Sequence, residues 1–371
     1  MDLTLTPEQE LIRSSAREFV DGEIAPHVRS WDRDETMDRE IVAKLAEVGF
    51  LAGWELDTVS YCLVMEELGR VDSSVRGIVS VNVGLVGKTI LKWGTEEQKA
   101  EWVPRLGSGE VLGCYALTEP GAGSDPGGLT TTAERDGDSW SITGSKIFIT
   151  LGTWAGLALV FARTGERIAC FLVPTDSPGF SAHQIKGKLG LRAQDTGELT
   201  LDGVRVPAGN VLGEEGDGLK VALSALDDGR ISLAAGCVGI GQGCLEACLA
   251  YASERHQFGR PIASFQLVQE LLAEIAVETD AARLLTWKAA LAADAGIRHT
   301  LESSIAKYYA SEAAVRSANA AVQVHGGYGY VDEFPVGKYL RDARVTTLYE
   351  GTSQIQKLII GRQLTGENAF V

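Results

Sequence analysis

The chain has 371 residues, 45% hydrophobic and 23% charged, which is enough apolar surface for two or three packed units. A formal net charge of -16 argues against a nucleic-acid partner, which needs basic patches, but a local field can still favour an anionic ligand. Six cysteines without a C-x-x-C pair, five scattered histidines, no basic-then-apolar leader and no uninterrupted apolar run of bilayer length together predict no metal site, no membrane insertion and a cytoplasmic location.

Residues 1–113 read as a helical domain. Thr6-Pro7-Glu8-Gln9 is a capping box with proline at the first helical position, and Leu11, Ile12, Ala16, Phe19 and Val20 recur at helical spacing. Ile41, Val42, Leu45 and Val48 mark a second helix. Asp57 caps a third, with Val59, Leu63 and Leu68 inside and Gly69 as its stop. Thr95-Glu96-Glu97-Gln98 is another capping box. Residues 114–217 change character: Asp136-Gly137-Asp138 signals a turn, and residues 140–143, 146–150, 157–161, 170–173 and 199–206 are strand candidates of a small antiparallel β domain. Residues 218–371 return to helix over 219–255, 264–293 and 301–325. These helices are apolar on more than one face, so they predict a four-helix bundle with surfaces for a second subunit. Cys244 and Cys248, four apart, belong to a face of small core residues. The expected class is α+β, arranged α–β–α.

Four segments carry residue types suited to ligand chemistry. Tyr115-Ala116-Leu117-Thr118-Glu119-Pro120-Gly121-Ala122-Gly123-Ser124-Asp125 runs a strand end into a glycine-rich turn with hydroxyls. Such a turn offers backbone N–H groups to a flat or anionic ligand, and by itself is as readily a plain connector. Arg255-His256-Gln257-Phe258-Gly259-Arg260-Pro261 separates two long helices; an arginine and an amide in a tight loop suit a pyrophosphate, or equally a solvated helix end. Gln323-Val324-His325-Gly326-Gly327-Tyr328-Gly329-Tyr330 is either a helix C-cap or a backbone surface for a cofactor, with His325 read as structural. Arg341-Asp342-Ala343-Arg344 precedes Leu348-Tyr349-Glu350-Gly351-Thr352-Ser353-Gln354-Ile355-Gln356. Here Glu350 is either a surface residue before a helix or a carboxylate in a dry pocket, where burial raises its pKa towards that of a useful base.

In this order within an α–β–α chain, the four segments resemble the acyl-CoA dehydrogenase family, and the resemblance covers essentially the whole chain. The most specific pieces are residues 118–125, Arg255-His256-Gln257-Phe258-Gly259, and Arg341-Asp342-Ala343 with residues 349–356. The resemblance implies an FAD enzyme. Tyr115, Leu117, Thr118, Gly123 and Ser124 would line the flavin and thioester region, and Phe148 and Thr150 would pack on and hydrogen-bond the isoalloxazine. Arg255, Gln257 and Phe258 would reach FAD across a subunit interface, as would Gln323, Gly326 and Gly327; Thr352 and Gln354 would meet its diphosphate and adenosine. On the substrate side it implies Ser124, Leu226, Asp227, Arg230, Tyr349 and Gly351, with Arg230 supporting the catalytic loop. The implied reaction is fatty-acid chemistry on an acyl-CoA thioester. Glu350 takes the α-proton, the β-hydrogen leaves as hydride to flavin N5, and the product is a trans-2-enoyl thioester. Electron-transfer flavoprotein as acceptor and a homotetramer built as a dimer of dimers follow from the same resemblance. Some relatives carry the base one residue before the matching arginine; here that residue is Gly229, and only the loop position is filled.

Departures from the family pattern bear on the substrate. The loop after Leu51 is short, only Gly53-Trp54-Glu55-Leu56 preceding Asp57, and so is the hairpin Thr164-Gly165-Glu166-Arg167. Gln194 stands where a serine is common and Leu151 where an asparagine is common. Val81, Gly84 and Gly87 are expected at the pocket floor. The other readings are a dehydrogenase or oxidase acting on a carrier-protein thioester in a biosynthetic pathway, and a catalytically inactive structural paralogue.

Overall fold

The computed structural model describes residues 4–370; the opening Met1, Asp2 and Leu3 lie outside them. The N-terminal region holds α1 (Pro7–Phe19), α2 (Val28–Asp34), α3 (Glu40–Glu47), α4 (Thr58–Val71), α5 (Ser73–Val79), α6 (Lys88–Trp93) and α7 (Glu96–Gly107). Both capping boxes form: the Gln9 and Gln98 N–H groups donate to Thr6 and Thr95, whose own N–H groups donate back to the glutamine side chains. Asp57 caps α4 by accepting from the Ser60 N–H at 2.9 Å. Helices α5 and α6 are joined by a π-helical stretch, Ser80–Gly87, a widened turn of the kind found at functional sites. The short loop after Leu51 closes as a 3₁₀ turn, Phe50–Glu55, and Trp54 packs where a Cβ on Gly87 would collide with it.

Helix gives way to strand at Gly113. The strands are β1 (Gly113–Ala116), β2 (Thr132–Asp136), β3 (Ser139–Thr150), β4 (Leu157–Thr164), β5 (Arg167–Pro174), β6 (Phe180–Gln184), β7 (Thr196–Pro207) and β8 (Val211–Leu212). The sheet order is β6-β7-β3-β2-β4-β5-β8, with β1 paired to β4. The expected antiparallel sheet is in fact mixed, because β1 and β2 both run parallel to β4, in register Gly113↔Leu157 and Thr132↔Arg163. A tight turn fixes direction only between strands that follow each other in the chain, and β1 and β4 do not. The expected strands at 140–143 and 146–150 are one strand, β3, with a register shift between Lys146 and Ile149. The short loop at Gly165 is a two-residue hairpin with Gly165 at φ 64°.

The C-terminal region holds α8 (Gly218–Glu254), the small hairpin β9 (His256–Gln257) and β10 (Arg260–Pro261), α9 (Gln266–Asp294), α10 (Thr300–His325), α11 (Val336–Thr346) and α12 (Ser353–Thr365). Helices α8, α9 and α10 pack on one another, α11 and α12 pack on α10, and α4 runs along α8. Glycines permit that last contact. Gly69, expected as the stop of α4, lies inside it, and a Cβ there would overlap the Gly236 carbonyl; a Cβ on Gly239 would overlap the Glu66 carbonyl. The glycine therefore serves close approach of two backbones, not a C-cap. Among the described residues two helical runs, Ser73–Trp93 and Gly218–Glu254, are long and apolar enough to cross a membrane, although polar residues interrupt both. Their most apolar stretches are 89% and 67% buried within the fold, as core helices are.

Gly239→Ala, remote from the candidate site, is expected to destabilise the protein by about 1–3 kcal/mol, the usual cost of overpacking. Thermal unfolding followed by circular dichroism reads this, and an unchanged midpoint would contradict the close α4–α8 contact.

Candidate functional site

Glu350 stands between α11 and α12 in a turn that places two successive residues at positive φ, 53° for Glu350 and 87° for Gly351. Glycine suits the second position; the first is strained for glutamate and has to be held by its surroundings. Gln356, fully buried on α12, donates its Nε2 to the carbonyls of both Glu350 and Gly351 at 3.0 Å. Lys307 of α10, also fully buried, donates Nζ to the Gly351 carbonyl at 2.7 Å. Thr352 caps α12 by accepting from the Ile355 N–H at 3.2 Å. Arg76 of α5 donates to the Tyr349 hydroxyl at 2.8 Å.

The turn directs the Glu350 side chain inward. Its Oε2 is buried and has no hydrogen-bond partner among the described residues, and a Cβ on Gly229 of α8 would lie 2.5 Å from that oxygen. Gly229 thus makes the space the carboxylate occupies. Two helical turns on, Gly236 does the same for Arg76, whose side chain a Cβ there would overlap. Burial raises the Glu350 pKa, while Arg76, Lys307 and Arg230 oppose the rise. Arg230, 4% exposed, donates to Asp227 Oδ1 at 2.6 Å, and Asp227 Oδ2 accepts from Thr300 at 2.8 Å. Tyr115 of β1 is near enough for the Glu350 charge to act on it, but its hydroxyl donates to the Ala222 carbonyl at 3.1 Å. Leu226 is partly buried and packs on the core.

The glycine-rich turn after β1 is held from beneath. Glu119 is buried and accepts from the Thr130 and Thr131 N–H groups at 2.6 and 3.0 Å and from Lys146 Nζ at 2.8 Å. Lys146 also donates to the Leu117 and Phe161 carbonyls. Burial pulls the Lys146 pKa down to about 8, while the bonds from Lys146 and Thr131 outweigh burial at Glu119 and bring its carboxyl to about 2. This clamp was missed in the sequence; its one signal is a lysine inside a strand of otherwise alternating pattern. Above it, Gly123 and Ser124 are exposed and Thr118 is half-buried. The irregularity in β3 sets Phe148 at φ 59° and leaves its ring 65% exposed. Thr150 accepts from Gln194 Nε2 at 3.2 Å, and Gln194 fits because residue 77 is glycine.

A second group gathers elsewhere. Arg255, Gln257, Gly326 and Gly327 line one groove of about 890 Å³ with Tyr251, His325 and Tyr328. Arg255 lies over the Tyr328 ring at 5.5 Å, and a Cβ on Gly326 or Gly327 would meet nothing within 4 Å, so their backbone is open to a ligand. Gln323 and Phe258 are exposed beside it but do not line it, Phe258 being 94% exposed. His325 is buried, stacks on Tyr251 at 4.3 Å, and is structural. Arg230 and Arg255 are 25 residues apart on and just beyond α8, roughly 37 Å at helical rise. The groove is therefore not part of the site around Glu350 in the same chain. Gln354 is exposed near the start of α12 and joins neither group by a hydrogen bond among the described residues.

The whole chain matches models of one family: acyl-CoA dehydrogenase N-terminal domain over residues 6–110, middle domain over 114–204 and C-terminal domain over 216–365. It is 43% identical to the probable acyl-CoA dehydrogenase YngJ of Bacillus subtilis, over 98% of this chain and 100% of that one. It is 40% identical to the mitochondrial short-chain specific acyl-CoA dehydrogenase of Rattus norvegicus, over 97% and 90%. Among solved structures, a chain from work on the electron transferring flavoprotein of Acidaminococcus fermentans superposes at TM-score 0.97 with 38% identity, covering 99% and 100%. The glutaryl-CoA dehydrogenase of Mycobacterium smegmatis in complex with FADH2 superposes at 0.96 with 37% identity, covering 99% and 97%. The prolyl acyl carrier protein oxidase AnaB does so at 0.94 with 31% identity, covering 98% and 100%.

Glu119→Gln is expected to cost about 3–5 kcal/mol, because it leaves the Lys146 charge buried without its anion. Adding Lys146→Met should recover much of that loss. Urea unfolding at pH 7 measures both, and a double variant no more stable than Glu119→Gln would contradict the clamp.

Proposed function

The chain belongs to the acyl-CoA dehydrogenase family, whose members are FAD-dependent oxidoreductases, and from that premise we propose that it removes two hydrogens from a short acyl-CoA thioester, with Glu350 as the base. The observation that carries this reading is the Glu350 carboxylate itself: buried, unpartnered at Oε2, and seated against Gly229 with a raised pKa. Such a group binds a proton more tightly than an exposed carboxylate, yet three neighbouring cations favour its ionised form. The residues also fit a flavin nucleotide. An exposed aromatic ring at Phe148 and a half-buried hydroxyl at Thr150 suit the ring system, and Arg255 beside an open glycine backbone suits the diphosphate and adenosine part.

In the reaction, Glu350 Oε2 takes the proton from the α-carbon, and the Glu350 N–H holds the thioester oxygen on which negative charge develops. Bound FAD supplies the two-electron acceptor for the hydride leaving the β-carbon, so a trans-2-enoyl thioester is formed. Arg230, tied to Asp227, and Arg76, tied to Tyr349, keep the turn fixed and the field positive. The separation of Arg255 from Arg230 along α8 supports a homo-oligomer in which the groove of one chain completes the cofactor site of another; a dimer of dimers is the proposed form. The structural relative from electron transferring flavoprotein work supports such a flavoprotein as electron acceptor. AnaB, an oxidase of a carrier-protein substrate, and the short loop at Trp54 keep a carrier-bound thioester as the alternative substrate.

One feature favours a more specific acyl group. Arg76 is 3% exposed and has no carboxylate at ion-pair distance among the described residues. Nearby, Tyr61 OH, Ser232 Oγ and Ser80 Oγ form a buried chain at 3.3 and 3.0 Å. Three hydroxyls sharing two bonds leave one proton to donate. Such a cluster would suit a short acyl group whose far end carries a carboxylate or hydroxyl, as the name of the glutaryl-CoA relative suggests for that enzyme.

Two measurements follow. In the wild type, anaerobic addition of a short acyl-CoA should bleach the visible flavin band, and Glu350→Gln should keep the yellow colour but lose bleaching by at least about a thousandfold; unchanged bleaching in Glu350→Gln would exclude it as the base. Because burial raises the Glu350 pKa, the acid limb of kcat/KM should lie above the ordinary carboxylate range. Secondly, an ω-carboxyl acyl-CoA should outcompete the plain acyl-CoA of equal length, and Arg76→Gln should reverse that order. A preference for the plain chain in the wild type would return the acyl end to an apolar substrate, and turnover only of carrier-bound thioesters would favour the alternative.

A further inference from the structure

Lys307 is one of the three cations near Glu350, and it alone of them bonds the backbone of the turn, a contact that the scheme above does not use. It is fully buried in α10, and its Nζ reaches the Gly351 carbonyl at 2.7 Å. Its hydrogen bond goes to that carbonyl, and it forms no ion pair with a carboxylate among the described residues. A buried ammonium without an adjacent anion is costly unless a field or hydrogen bond supports it. Burial brings its pKa down to about 8, so it remains charged at neutral pH; Cys237 and Glu350 oppose the fall, and Arg230 adds to it. Glu312, the other nearby carboxylate, is engaged by Ser353 Oγ at 2.6 Å.

The groups facing Glu350 come from several elements: Tyr61 of α4, Arg76 of α5, Tyr115 of β1, Arg230 and Cys237 of α8, Lys307 of α10, and Tyr349 beside it. Of the three cations, Arg230 alone has a carboxylate at ion-pair distance, Asp227. Arg76 and Lys307 therefore leave the pocket with an excess of positive charge over Glu350. That charge stays in place when the negative charge passes from Glu350 to the thioester oxygen.

We propose that Lys307 is a positioning residue for the deprotonation: it fixes the turn at Glu350 and Gly351 through the Gly351 carbonyl, and its charge keeps the Glu350 carboxylate ionised in a site that would otherwise protonate it. This rests on Glu350 being the base. Removing a nearby cation raises a carboxylate's pKa, so the base becomes available only at higher pH. Lys307→Gln keeps a donor for the Gly351 carbonyl and loses the charge; Lys307→Met loses both; Lys307→Arg keeps the charge.

The test uses the full-length, FAD-loaded protein and the dependence of kcat/KM on pH for whichever acyl-CoA bleaches the flavin. Lys307→Gln should move the acid limb up by about one unit, with KM changed less than about threefold and the flavin spectrum retained. Lys307→Arg should leave the limb where it is in the wild type, even if kcat falls. Lys307→Met, if it folds, should combine the shift with a lower kcat. A folded, yellow Lys307→Gln with a lower melting temperature but an unmoved limb would overturn the proposal and leave Lys307 a purely structural residue. An active Glu350→Gln would instead remove the reading on which the proposal stands, so the two failures are distinguishable.

Discussion

A carboxylate that acts as a base, the role proposed for Glu350, has to be buried deeply enough to bind a proton well and still be ionised when substrate arrives. Most of the local structure around Glu350 answers to that requirement. Burial alone would protonate it. The countering charges come from three helices, α5, α8 and α10, so the proton affinity of one side chain depends on the packing of the whole helical assembly. Close packing is in turn possible because α8 is smooth where it meets these groups: Gly229 admits the carboxylate, Gly236 the Arg76 stem, and Gly239 the backbone of α4.

The β domain contributes by rigidity. Its glycine-rich turn has open positions at Gly121 and Gly123, and loose backbone is a poor platform for a cofactor. The Glu119–Lys146 pair beneath it satisfies the Thr130 and Thr131 N–H groups and the Leu117 and Phe161 carbonyls together. A buried ion pair is weak evidence for net stability, but this one fixes the path of three separate segments. The irregularity in β3 then turns Phe148 outward beside Thr150, which β-bulges commonly do near active sites.

The groove at Arg255 stands apart from these two layers. Its residues are exposed, its glycines present bare backbone, and α8 carries it well away from Glu350. On the proposed reading the two are halves of one cofactor site, which symmetry between copies would join.

Local chemistry made much of this legible. Capping boxes at Thr6 and Thr95, the Asp57 cap and the three long C-terminal helices depend on residues a few positions apart, so their patterns are read directly from the sequence. The motif around Glu350 marked the turn, and the glycine at 229 leaves the space that the Glu350 carboxylate fills. What the sequence left open depended on residues far apart in the chain. Gly69 has the signature of a helix stop and is instead a contact with Gly236, 167 residues later. The direction of β1 is set by its pairing with β4, not by any turn. Arg76, Lys146, Lys307 and Gln194 have no motif, because a buried polar side chain takes its meaning from partners on other elements. The sequence by itself determined the capped helix starts at Thr6, Asp57 and Thr95, the shortness of the loop at Gly165 and the residue types of the site. Only the tertiary structure decided which charges surround Glu350, because charge acts across space and local sequence periodicity does not encode it.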